Sequence, residues 1–339
     1  MKNVFFILLS TLVVVLSSCS SDDISVGQST TFKINPSSVI QSFTYEIEPG
    51  DLEGISSEES LRVRLLVYDS DNVLVRSETQ YLSSYASIMT TNMDLEAGDY
   101  MAVVITDVVT RNGDNVSFAC WELSDERSLT TARITDLGYI GGQSKILGIG
   151  SKNFRVSDGA TEVSVNPSPA GSLLLVMWSH VHTFSDVEEM TLEVNRFSDY
   201  LVMNSQGGFD MSVENHDNQY DWRITMLAPS DYPDSNNLYS YYFIFPIQNI
   251  SFRFRIDPSS GESIYTDPMP FNLKAGSEYY FELDLCDPEF DNGISYGGFE
   301  VTSTRSVSTK GLIQDIFNGA ADAVDNHSLK LETLLIPHP

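Results

Sequence analysis

One five-residue pattern occurs twice in this chain and narrows what the chain can become. Leu61-Arg62-Val63-Arg64-Leu65 and Phe252-Arg253-Phe254-Arg255-Ile256 both alternate apolar residues with arginine. Successive side chains of a strand point to opposite faces, so this alternation marks strands with one face in a core and the other turned outward. The first copy continues through Leu66-Val67-Tyr68, turns at Asp69-Ser70-Asp71-Asn72 and returns as Val73-Leu74-Val75, a hairpin. A second motif follows each copy. Leu95-Glu96-Ala97-Gly98-Asp99-Tyr100 launches the apolar run Met101 to Ile105, and Asn272-Leu273-Lys274-Ala275-Gly276 launches Tyr279 to Leu285. The spacing between the two motifs differs between the copies, which loop length tolerates at little cost. A chain of 339 residues is also large for a single core. The expectation is an all-β protein of two tandem β-sandwiches of related topology, residues 31–160 and 161–298. Two copies are too few for a solenoid.

Other segments fit this plan. Thr31 to Ile34 reads as a strand, Pro36 as a turn, and Ser42 to Ile47 as a half-buried strand. At the junction, Asp158-Gly159 is a turn and Val163-Ser164-Val165 a strand running into the Pro167 and Pro169 corner. Leu173 to Trp178 is a continuous apolar strand, Met190 to Val194 alternates, and Tyr239 to Pro246 is aromatic enough to be buried on both faces.

The N-terminus places the chain in the cell. Lys2 precedes an apolar run, Val4 to Leu16, too short for a spanning helix and of the length of a secretory leader. It ends in Leu16-Ser17-Ser18-Cys19, which resembles the bacterial lipobox, in which the Cys thiol takes a diacylglycerol and the chain is cut just before it. Residues 1–18 are then a lipoprotein signal peptide, and Cys19 is the lipidation site of an outer-membrane protein. Two or three acyl chains on one residue give stable anchoring where one is marginal. Residues 19–30 form an acidic tether. Ser20, Ser21, Asp22 and Asp23 resemble the surface-export signal of Bacteroidetes lipoproteins. Residues 20–29 reach about 33 Å when extended, which holds a domain clear of the headgroups. The net charge of −28, one unit more acidic without the leader's single Lys, excludes nucleic acid as a partner. Residues 299–339 form a tail of unassigned role, with helical spacing at Leu312, Ile316 and Ala320.

Residues of a catalytic or metal site are sparse. Asp69 and Asp71 lack the Gly and Glu positions of a calcium loop. His180 and His182 would share a strand face but have no third ligand at a diagnostic offset. No nucleophile elbow, phosphate loop or zinc-protease motif occurs, and no cofactor is expected. Cys120 and Cys286 read as two separate buried thiols, since their spacing supplies no disulfide framework. Trp121, Trp178 and Trp222 offer either a sugar-stacking platform or core aromatics. A non-enzymatic surface module is the reading of the residues themselves.

These parts together resemble the fimbrial anchor and minor-subunit lipoproteins of Bacteroidetes, which are related to the fimbrillins. The residues that carry the resemblance are Leu16 to Cys19, the hairpin Leu61 to Val75, Leu95-x-Ala97-Gly98-x-Tyr100 with its strand, Phe252 to Ile256, and Leu273-x-Ala275-Gly276 through Leu285. The resemblance implies two transthyretin-like Greek-key sandwiches behind a lipidated Cys. It also implies a role in anchoring or capping a fimbria by accepting a donor strand from a shaft subunit at a sheet edge. Shaft subunits of this kind lose an N-terminal strand to an arginine-specific protease. Here no Arg precedes Arg62, which lies within a core strand, so the N-terminal strand is kept. The alternative is a surface glycan-binding lipoprotein of a polysaccharide-uptake system.

Overall fold

The computed structural model describes residues 27–41, 59–137, 146–157, 159–179, 187–211, 214–215, 220, 222–228, 238–266, 268–284 and 305–306. The N-terminal half runs β1 (Gln28–Ile34), α1 (Ser37–Gln41), β2 (Glu59–Asp69), β3 (Leu74–Leu82), β4 (Met89–Leu95), β5 (Gly98–Asn112), β6 (Asn115–Ala119), β7 (Trp121–Ser124), β8 (Arg133–Asp136), β9 (Gly148–Val156), β10 (Thr161–Val165) and β11 (Ser168–Pro169). The C-terminal half continues β12 (Ser172–Ser179), β13 (Val187–Val194), β14 (Arg196–Phe197), β15 (Tyr200–Met203), β16 (Phe209–Met211), β17 (Glu214–Asn215), β18 (Trp222–Leu227), β19 (Leu238–Ile244), β20 (Ile250–Pro258), β21 (Ile264–Tyr265), β22 (Met269–Phe271), β23 (Glu278–Asp284) and β24 (Arg305–Ser306). Among the described residues the protein is all-β apart from α1, where Pro36 opens a short helix whose Ser37 amide donates to Asn35 Oδ1 at 3.2 Å. The strand expected over Ser42 to Ile47 lies outside the described residues.

Both halves are sandwiches built to one plan. In the N-terminal half, β1 lies between β4, antiparallel, and β10, parallel, and faces a sheet ordered β11-β9-β5-β2-β3. In the C-terminal half, β12 lies between β19, antiparallel, and β23, parallel. It faces a sheet ordered β18-β13-β20-β21. By position and pairing, β1 corresponds to β12, β2 to β13, β5 to β20 and β10 to β23. Thr161–Val165 and Ser168–Pro169, which follow residue 160, are hydrogen-bonded to β1 and β9 of the N-terminal half.

The repeated sequence motifs do not occupy corresponding slots. Leu61 to Leu65 lies on β2, whereas Phe252 to Ile256 lies on β20, the counterpart of β5. Leu95 to Gly98 turns into β5, but Leu273 to Gly276 turns into β23, the counterpart of β10. The motifs mark local geometry, an outward arginine pair and a tight turn, and each half uses that geometry on a different strand. In both turns the Leu is buried and a Tyr hydroxyl reaches back to the backbone. Tyr100 donates to the Glu96 carbonyl and Tyr279 to the Asn272 carbonyl, each at 3.0 Å.

A third layer joins the halves. β7 and β8 pair with β15 and β16 in a sheet ordered β16-β15-β8-β7, in which Leu201 stands opposite Ile134. This sheet covers the outer face of the N-terminal sandwich. Gly207, at φ 72° in the turn between β15 and β16, lies against Met101 and Ser151, so a side chain there would clash. That is why β5 is buried on both faces from Met101 to Val109 and reads as a continuous apolar run. The N-terminal core accordingly includes Leu173, Leu201, Met203, Phe243 and Phe245 from the second half. On β19 the side chains alternate between cores: Phe243 packs into the first, while Tyr242 and Ile244 enter the second. Each such fully buried apolar side chain contributes about 1.5–3 kcal/mol. The both-face burial expected for this stretch holds from Tyr242 to Phe245.

Alternation in Met190 to Val194 does not translate into exposure. Thr191 and Glu193 face away from the core, yet they are as buried as Met190, Leu192 and Val194. Arginines on the neighbouring β20 lie over Glu193 and take it out of water.

Candidate functional site

If this chain binds an extended partner strand, the binding groups are backbone amides and carbonyls on a sheet edge. The edge at β3 is blunted: none of its nine residues is buried, and Arg76 and Glu78 lie along it. The edge at β4 approaches β3, with Thr91 Oγ1 donating to the Glu78 carboxylate. β10 carries the exposed pair Lys33–Glu162 between itself and β1.

The edge at β23 is different. β23 is seven residues long and all seven pair with β12 on one side. On the other side, among the described residues, β24 from the C-terminal tail pairs with Tyr279 and Tyr280. Tyr279 and Phe281 of β23 are buried in the second core, and Glu278, Glu282 and Asp284 lie on the same strand. Its position is set by the turn before it. Gly276, at φ 72°, donates its amide to the Gly171 carbonyl at 2.8 Å, and Ser172 Oγ donates to the Lys274 carbonyl at 2.7 Å. The Lys274 amide donates in turn to the Tyr279 hydroxyl, and burial raises that phenol above its ordinary range.

β1, the described strand nearest Cys19 in sequence, is central in its sheet, with Phe32 and Ile34 wholly buried. Removing it would part β10 from β4. Cys19 and the export residues Ser20, Ser21, Asp22 and Asp23 lie outside the described residues, as do His180, His182 and Cys286. Cys120 is buried.

Of the two readings of the tryptophans, core aromatics holds for Trp121 and Trp178, and the Trp222 side chain lies outside the described residues. Trp121 and Trp178 are both buried, Trp121 against Phe243 and Phe245 and Trp178 edge-on to Phe254 at 4.9 Å. Neither can stack on a sugar, because each fills a core where apolar area is removed from water. Asp69 is a turn residue in fact as well as in expectation: its Oδ1 accepts the amides of Asp71 and Val73, each at 2.9 Å.

Two charge clusters escaped the sequence reading. Asp107, with no exposed side-chain surface, accepts Arg62 Nε at 2.9 Å and Nη2 at 2.5 Å, with Arg64 3.9 Å away. Burial pulls the Arg64 guanidinium down to about 10, with Asp107 pulling the other way. In the second half, Glu193 accepts Arg253 Nε at 2.8 Å and Nη2 at 2.7 Å, and Arg255 Nη1 at 3.3 Å. The signal was present in each case as a lone acid within an apolar strand, but only the strand register shows which arginine faces it. Among the described residues no three or more His, Cys, Asp or Glu side chains gather as metal ligands, and no helix is long and apolar enough to cross a membrane.

No family model matches the chain, and no curated protein matches its sequence. Solved structures similar to it include several from Bacteroidetes. The fimbrial anchor protein Mfa2 of Porphyromonas gingivalis is 8% identical over 78% of this chain and 93% of that one, with a TM-score of 0.43. A fimbrial assembly protein of Parabacteroides distasonis is 14% identical over 76% and 91%, at 0.39. A Bacteroides thetaiotaomicron protein assigned provisionally to polysaccharide binding is 12% identical over 76% and 92%, at 0.46.

Proposed function

We propose that this chain is a surface lipoprotein held to the outer membrane through Cys19, and that it anchors or caps a fimbria by accepting an extended strand of a shaft subunit. The observation that carries this reading is the β23 edge, where, among the described residues, β24 pairs with Tyr279 and Tyr280 of a seven-residue strand. A sheet edge that presents backbone amides and carbonyls is a template for strand addition. β23 is held from behind by its pairing with β12 along its whole length, so an incoming strand meets a preorganised surface. The central place of β1 supports a chain that keeps its N-terminal strand, as an anchor must to stay joined to its lipid. The domain halves, the tether over residues 19–30 and the exterior-facing location belong to the same proposal.

Deleting the gene should release fimbriae into the medium without stopping their polymerisation, and a form with Cys19→Ala should not restore them to the cell. Fimbriae that stay cell-bound in the deletion strain overturn the anchor role. Fatty-acid analogue labelling of Cys19→Ala at the level of the parent overturns the lipidation site.

A further inference from the structure

We propose that the outer face of the sheet β18-β13-β20-β21 is a binding platform for a neutral glycan, with Tyr220 and Tyr265 as the stacking residues on either side of Arg253. The corresponding face of the N-terminal sandwich is roofed by the sheet β16-β15-β8-β7. In the C-terminal half, among the described residues, the outer face carries a row of aromatic and guanidinium groups. The Arg253 guanidinium carbon lies 4.2 Å from the Tyr220 ring centroid and 4.3 Å from that of Tyr265. Glu193 holds Arg253 through two nitrogens, and the Tyr220 hydroxyl donates to Ser251 Oγ at 3.0 Å. Tyr265 stands opposite Arg255 in the β20–β21 ladder and keeps 38% of its surface in water. The rings are therefore fixed before any ligand arrives, which removes the ordering cost of binding.

A sugar ring has an apolar C–H face and a rim of hydroxyls. The tyrosine rings suit the face, and fixed polar groups beside them suit the rim. The charges select neutral over acidic glycan. Arg253 is bridged to Glu193, Arg255 to Glu193 and Asp257, and Arg223 to Glu189, so the arginines of this face are matched within it. The chain as a whole carries −28, which repels a polyanion. A neutral ligand strands no unpaired charge on binding. This inference stands apart from the anchor reading and adds a second activity to it.

The test is native affinity electrophoresis of the detergent-solubilised full chain in gels containing dextran, mannan, xyloglucan or polygalacturonate. The expected result is retardation by at least one neutral polymer, undiminished in roughly 0.5 M salt. Tyr265→Ala should weaken it about tenfold or more, while Tyr265→Phe retains it. Tyr81→Ala, which removes the ring under Arg111 in the N-terminal half, should leave binding unchanged. Retardation by no neutral polymer overturns the proposal. So does retardation by polygalacturonate alone, or binding that survives the double variant Tyr220→Ala, Tyr265→Ala.

Discussion

In the N-terminal sandwich the arginines sit on β2 and their acid, Asp107, on β5; in the C-terminal sandwich the arginines sit on β20 and their acid, Glu193, on β13. Since β2 corresponds to β13 and β5 to β20, the same central pair of strands carries the same cluster with the partners exchanged. The local geometry is shared. The arginine directly opposite the acid in the ladder binds through two nitrogens, and the arginine two residues on makes the longer contact. The surroundings are not shared. Asp107 and Arg64 lie under the third layer, where the Arg64 Nε and Nη2 atoms have no hydrogen-bond partner. Tyr85, wholly buried nearby, has its phenol raised by burial first and then by Asp107 and Glu59. Arg253 and Arg255 keep 26% and 21% of their side chains in water. The lesson is that an ion cluster's energetic weight comes from what covers it, and not from the motif that supplies it.

The sharpest way to break this comparison is to remove each acid. Asp107→Ala leaves two largely buried guanidiniums uncompensated and should cost about 3–5 kcal/mol. Glu193→Ala leaves arginines that reach water, one of them still paired with Asp257, and should cost about 1–2 kcal/mol. Denaturant midpoints measure both, and equal losses would mean that the third layer does not set the dielectric. A second comparison uses glycines. A side chain at Gly171 meets the Ile244 carbonyl, which is held in the β12–β19 ladder, whereas one at Gly148 meets the ends of Thr106 and Val39. Gly171→Ala should therefore destabilise by more than Gly148→Ala within a range of about 1–3 kcal/mol. Thermal melts that rank them the other way would show that the junction yields more easily than the first core.

Coupling between the halves is the next effect in size. A double-mutant cycle on Trp121→Leu and Phe243→Leu should return about 0.5–1.5 kcal/mol of interaction energy, because the rings lie 6.1 Å apart at 82°. Additive losses would count against a core shared by the two sandwiches. The smallest effect is expected at Lys33→Ala. It breaks an exposed pair with Glu162 and should change stability by no more than about 0.5 kcal/mol in low salt. A loss several times larger would mean that the β1–β10 edge is protected from solvent.

Much of the fold was legible in the residues. Leu61, Val63 and Leu65 are wholly buried while Arg62 and Arg64 face outward, as alternation requires, and Phe252, Phe254 and Ile256 repeat that pattern. The turns at Asp69 and Gly276 also fall where their residues demand. What was not legible was the outward face. Thr191, Glu193 and Asp107 are polar residues in sequence and buried residues in space, because their burial depends on what another strand or layer lays over them. Of the platform, Tyr220 and Tyr265 are unremarkable aromatics in sequence, and only the stacking on Arg253 sets them apart.

Which faces of the main strands turn to a core, and where the tight turns lie, were already written in the residues. Those features follow from the two-residue period of a strand and from backbone conformations that few residues adopt, both of which are local. The tertiary fold put the two arginine pairs on non-corresponding strands and laid β15 and β16 of one half over the other. It also placed residues 305–306 of the tail beside β23. Those outcomes depend on pairings between residues far apart in the chain, and a backbone amide pairs with any strand that reaches it, so the side chains that spell the strands do not name their partners.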